Sequence, residues 1–96
     1  MKLQPNERVL TGSWTHVRDS VRGDEVCRRI EWLVGNELKK IASSPQWGDW
    51  ETLFQDPSDG RYWERTYPHG DLQGGGPPQL KVIPTDAAKA KYRISS

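Results

Sequence analysis

Residues 50–78 read WETLFQDPSDGRYWERTYPHGDLQGGGPP, and the way this stretch folds decides how the rest of the chain packs. Two aromatic-rich runs, Trp50 to Gln55 and Arg61 to Tyr67, flank Asp56-Pro57-Ser58-Asp59-Gly60. Each residue of that cluster has a turn role. Proline presets its own φ, Asp and Ser side chains accept hydrogen bonds from nearby backbone amides, and glycine accepts positive φ. Two strand-like runs joined in this way predict a β-hairpin. Alternation puts Trp50, Thr52 and Phe54 on one face of the first strand; in the second, Trp63, Arg65 and Tyr67 oppose Tyr62, Glu64 and Thr66. Beyond the hairpin, Tyr67-Pro68 and Gly74-Gly75-Gly76-Pro77-Pro78 neither continue a strand nor start a helix, so they predict a loop.

Upstream, Asp24 is an N-cap candidate with Glu25 in the first turn, and Lys39 and Lys40 suit a helix C-terminus. Between them Val26, Cys27, Ile30, Leu33, Val34, Leu38 and Ile41 fall on one helical stripe, which predicts a long helix over residues 24 to 43, ended by Ser43-Ser44-Pro45. Glu37 projects into that stripe and needs a partner there. Trp32 lies opposite it, either covered by the N-terminal segment or exposed as a partner anchor. Before the helix, VLTGSWTHV over Val9 to Val17 reads as a strand, with Gly12 marking a bulge or a close backbone approach. Arg18 to Gly23 reads as a turn or a second short extended piece. Downstream, Gln79 to Ile83 predicts a further strand, and Thr85-Asp86 a cap for a short final helix through Tyr92. The order is β-α-β-β-β-α. The expected fold is therefore a single α+β domain over residues 1–96: a small antiparallel sheet of three to four strands, packed by one long helix, with a short C-terminal helix.

Composition limits the core. Leu, Ile, Val and Phe number 18 of 96 residues, and five Trp and three Tyr supply much of the remaining apolar area. No apolar stretch approaches the roughly 20 residues a membrane span needs, and no signal sequence is visible. A single cysteine, Cys27, fits a reducing compartment, so the expected location is cytoplasmic. The formal net charge of +1 hides a segregation: residues 49–80 hold two Lys/Arg against six Asp/Glu, while both flanks are basic.

Little in this pattern points to catalysis. His16 and His69 form the one pair that a small nuclease could use for acid–base chemistry. Cys27 lies on the apolar helix stripe, where a buried thiol is inert. Asp56, Asp59 and Asp71 lack the alternating ligands and distal Glu of a calcium loop, and the triple glycine lacks the Lys-Ser/Thr of a phosphate loop. No enzyme activity, metal or cofactor is expected. Nucleic-acid binding through stacked aromatics is opposed by the acidity of the aromatic segment. A sugar- or peptide-binding module with Trp and Tyr platforms stays open. An acidic surface rich in Trp and Tyr also suits a basic protein partner, with charge steering the encounter and aromatics holding the complex.

The segments DPSDGRYWE, TYP and GGGPP in that order, with GDEVCRRIEWLVGNELKKIASSP before them, resemble the Immunity protein 27 family of bacterial polymorphic-toxin systems. The resemblance covers about two thirds of the chain. It implies a small cytoplasmic α+β protein, encoded beside a toxin, that binds this toxin stoichiometrically and blocks it. The partner expected from the charge map is a toxin domain with a basic face, such as a nuclease, met by a monomer. The proposed contact residues are Asp56, Asp59, Glu64 and Asp71 for charge, with Tyr62, Trp63 and Tyr67 as aromatic anchors.

Overall fold

A computed structural model describes residues 3–17, 20–68 and 76–94. The aromatic hairpin forms as the sequence predicts. Gly48–Gln55 (β5) and Tyr62–Thr66 (β6) pair antiparallel, with Phe54 opposite Trp63 and Leu53 opposite Glu64. Gln79–Ile83 (β7) pairs with β6 on the far side, placing Val82 against Trp63 and Lys81 against Glu64. Lys39–Ser44 (β4) and Val9–Thr11 (β1) complete the sheet, whose order is β1-β7-β6-β5-β4 and all of whose pairs are antiparallel.

The sheet thus has five strands, not three or four, and the extra one comes from the expected helix. Residues 25–32 are α-helical (α1, Glu25–Trp32) and 33–37 continue as a wider π-type turn, thirteen residues in all. The last bond of that turn runs from the Leu38 amide to the Leu33 carbonyl, 2.7 Å, and Leu38 is already extended. Gly35 and Asn36, both poor helix formers, precede the break. Leu38 remains buried and Ile41 half-buried, because a strand can bury the same side chains that seemed to extend the helical stripe.

The segment from Val9 to Val17 is also divided. It breaks at Gly12-Ser13 into β1 and a separate strand, Trp14–Val17 (β2), which forms a two-stranded hairpin with Ser20–Gly23 (β3). Gly12 makes the close approach that its lack of a side chain allows. Its amide donates to Pro78 O at 2.9 Å, and a Cβ there would sit 2.5 Å from Cys27 Sγ and 2.8 Å from Pro78 O.

Strand alternation sorts the core to the two faces of the sheet. On one face, Ile30 of α1 and Leu33 of the π-type turn lie over Phe54, Trp63 and Leu80, with Leu10 and Leu38 beside them; Leu3, Val26, Trp32, Val34 and Val82 pack at the margin. Trp32 is therefore half-buried against the core. On the other face, Thr85–Tyr92 (α2) sets Ala88 and Tyr92 on Leu53, with Ile41, Tyr62 and Ile83 around them. Pro84 precedes this helix without a side-chain cap, so Thr85 opens the helix and does not cap it. At α1 the expected cap is made: Asp24 Oδ1 accepts from the Cys27 amide at 2.9 Å.

Trp63, with no exposed surface, is the largest fully buried side chain among the described residues. At ~25 cal/mol per Å² over roughly 150–250 Å², its burial is worth roughly 4–6 kcal/mol gross. Cys27 is buried too and donates weakly to Ser13 O at 3.5 Å. Burial, followed by the hydrogen bond with Asp24, pushes its thiol up, so it is an inert packing residue.

Candidate functional site

The two ends of the central hairpin differ in what their polar groups do. At the closed end the turn consumes them. Asp56 Oδ1 accepts from the Ser58 amide (2.9 Å) and hydroxyl (2.7 Å); the Gly60 amide donates to Asp56 O at 2.7 Å, with Gly60 at φ +79°. Asp59 accepts from the Arg61 amide (3.0 Å) and from Arg61 Nε (2.6 Å). Arg61 also donates to Glu7 O at 2.7 Å and Gln4 O at 3.2 Å and stacks over Trp63, 4.9 Å from its centroid. It thereby ties the N-terminal segment to the turn. Glu7 in turn accepts two 2.6 Å bonds from Arg29 of α1, which hold its carboxyl down at about 2.

Midway along the hairpin the candidate anchors are used by the fold. Trp63 lies under α1 and Tyr62 is half-buried beside α2. Glu64 is only 3% exposed. Its Oε2 accepts from the Tyr92 hydroxyl at 2.8 Å and meets Lys91 Nζ at 2.5 Å, and the same ammonium reaches Glu51 Oε2 at 2.9 Å. For Lys91 burial works against the charge, but the bonds to both carboxylates outweigh it and its pKa is raised. Burial, then the bond to Glu64, raises Tyr92, so it stays a donor. Each carboxylate described between residues 51 and 64 therefore has a partner within the fold. The described carboxylates of this segment do not form a bare acidic face.

The open end is different. The β4–β5 connection turns tightly: Ser44 Oγ accepts from the Gln46 and Trp47 amides at 3.2 and 3.0 Å, and Gly48 takes φ +61°. Trp47 stands on that turn 57% exposed, and Trp50, at the start of β5, is 55% exposed. Trp50 meets Tyr67 edge to face at 5.3 Å between centroids. Arg65 lies 5.8 Å from Tyr67 and 5.5 Å from Phe54, continuing the stack inward. These rings border a groove of about 610 Å³ whose charged lining is Glu51, Glu64, Lys81 and Lys91.

Of the residues expected from sequence to meet a partner, Tyr67 lines this groove and Glu64 forms part of its wall. Asp56 and Asp59 are at the opposite end of the hairpin, Tyr62 and Trp63 are packed against helices, and Asp71 lies outside the described residues, as does His69. Trp47, Trp50 and Glu51 also line the groove and are not among the contact residues expected from sequence. Trp47 carried a signal: a large aromatic between Pro45 and Gly48 sits in a turn, which runs over the surface. Among the described residues, no group of three or more His, Cys, Asp or Glu could hold a metal ion, and no helix is long and apolar enough to cross a membrane.

The family model for Immunity protein 27 matches residues 17–84, more than two thirds of the chain. The chain belongs to the Immunity protein 27 family. No curated protein and no solved structure matches it. The family match contains the aromatic rim and both carboxylates of the groove, while α2, which brings Lys91 and Tyr92 to this Immunity protein 27 member, lies beyond it.

Proposed function

We propose that this chain neutralises a cognate bacterial toxin by stoichiometric binding, without turnover, and that the open end of the hairpin is the surface that meets the toxin. Family membership supports the role; in this reading the chain acts as a cytoplasmic monomer encoded beside its toxin. The observation that carries the surface is the pair Trp47 and Trp50. Each is more than half exposed in a protein whose core is short of apolar side chains, where folding alone favours burying them. Exposed tryptophans beside a groove are the side chains that most often dominate a protein interface. In this reading Tyr67 supports Trp50, Glu51 supplies charge, and Asp56 and Asp59 shape the turn far from the contact.

Co-expression with the neighbouring toxin domain tests the role: the expected result is restored growth and an equimolar complex on co-purification. Failure of both with a folded protein overturns it. A second reading, a sugar-binding module, is favoured by the same indoles standing beside the carboxylates of the groove. Titration with oligosaccharides while following tryptophan fluorescence distinguishes it.

A further inference from the structure

The groove is not evenly charged along its length. Glu51, Lys91 and Glu64 together carry −1: one ammonium is shared by two carboxylates, of which Glu64 is closed off, with a side chain 4% exposed, and meets Lys91 at 2.5 Å. Glu51 engages Lys91 through Oε2 alone and keeps 24% of its side chain exposed. The remaining cation, Lys81, is on β7, two strands from Glu51 on β5. Two strand spacings are roughly 10 Å, about one Debye length at moderate salt. At the β5 end of the groove Glu51 therefore shares the single ammonium of Lys91 with Glu64, which leaves that end with net negative charge, and Trp47 and Trp50 line the same groove. An indole face attracts a cation, and it does so best for a planar guanidinium.

Resting on the toxin-binding reading, we propose that the β5 end of the groove takes a cationic side chain, an arginine, presented by the protein partner, with Glu51 accepting from the guanidinium and Trp47 and Trp50 flanking it. The aromatic rim supplies contact area and the carboxylate selects charge.

The test uses the full chain, labelled so that the indole N–H signals of Trp47 and Trp50 are resolved by NMR. It is titrated with Nα-acetyl-arginine amide and, as controls, with the glutamate and norleucine analogues. The arginine derivative should shift both indole signals saturably and bind about fivefold or more tighter than either control, the size of a single cation–aromatic contact. Glu51→Gln should remove most of that preference while the unfolding midpoint and the remaining spectrum stay near those of the parent. Equal binding of norleucine means an apolar groove, and tighter binding of glutamate means that Lys81 and Lys91 direct the site; either result overturns the proposal. So does a preference untouched by Glu51→Gln, or no shift at all. The toxin-binding reading is judged separately: if Trp47→Ala with Trp50→Ala weakens the toxin complex while arginine does not bind, the groove is the interface and its charge selectivity is what fails.

Discussion

At the scale of single residues, two glycines are constrained for different reasons. Gly60 sits at φ +79° in open space, whereas a Cβ on Gly12 would run into Pro78 O and Cys27 Sγ. Gly60→Ala should therefore cost only backbone strain, about 1 kcal/mol, and Gly60→Val more. Gly12→Ala forces β1 and the β7 approach apart and should cost about 1–3 kcal/mol. Urea denaturation of the variants checks the order; a Gly12→Ala midpoint above that of Gly60→Ala contradicts it. Glu7 gives a prediction in pH. Arg29 holds its carboxyl at about 2, below its ordinary 4.5. A carboxyl depressed in the folded state stabilises above its unfolded pKa, and that contribution is lost as pH falls through the folded value. The unfolding midpoint of the parent should thus fall more steeply between about pH 4.5 and 2 than that of Glu7→Gln, with the two curves parallel above that window.

At the scale of elements, Trp63 is the test of the core. Its indole Nε1 is buried without a hydrogen-bond partner among the described residues, so the polar end contributes nothing that phenylalanine would lose. Trp63→Phe should cost about 1–2 kcal/mol and Trp63→Ala about 3–5 kcal/mol, measured by chemical denaturation; equal costs imply that the site collapses around the smaller side chain. The hairpin carrying Trp63 was legible because DPSDG is local chemistry: Asp56, Asp59 and Gly60 bond within the turn they specify. The end of α1 was not. Val34, Leu38 and Ile41 keep helical spacing across a boundary, and the choice of strand for Lys39–Ser44 is made by pairing with β5, a partner that helical periodicity does not register. The division of Val9–Val17 between two sheets is likewise fixed by long-range contacts, with Gly12 its one local mark. The site was legible only in outline. Aromatic residues and acidic residues were visible in the segment, but which rings face solvent depends on α1 and α2 covering Trp63 and Tyr62, and which carboxylates are spent depends on Lys91, 40 residues beyond Glu51.

At the scale of the whole molecule, the core and the proposed toxin contact use different tryptophans. Trp63 is enclosed, while Trp47 and Trp50 at the open end are each more than half exposed. Truncating both exposed rings should cost about 1–2 kcal/mol per site, through the partly buried indole area and the Trp50–Tyr67 contact, well below Trp63→Ala. The same double variant should raise the off-rate of the toxin complex by about thirtyfold or more, since a central aromatic anchor is worth about 2 kcal/mol or more. Charge should act on the other rate. Internal pairing leaves a weak steering field, so association should slow only modestly with salt, and Glu51→Lys should slow it further at low salt while changing little near physiological ionic strength, where screening sets in beyond roughly 8–10 Å. Asp59→Lys is the control: it reverses a charge of equal size at the closed end, where Asp59 pairs with Arg61, and should leave the association rate unchanged. Stopped-flow kinetics at two salt concentrations, with a denaturation curve for each variant, distinguish the possibilities. If Asp59→Lys slows association as much as Glu51→Lys, or the double tryptophan variant dissociates no faster than the parent, the toxin meets a different face.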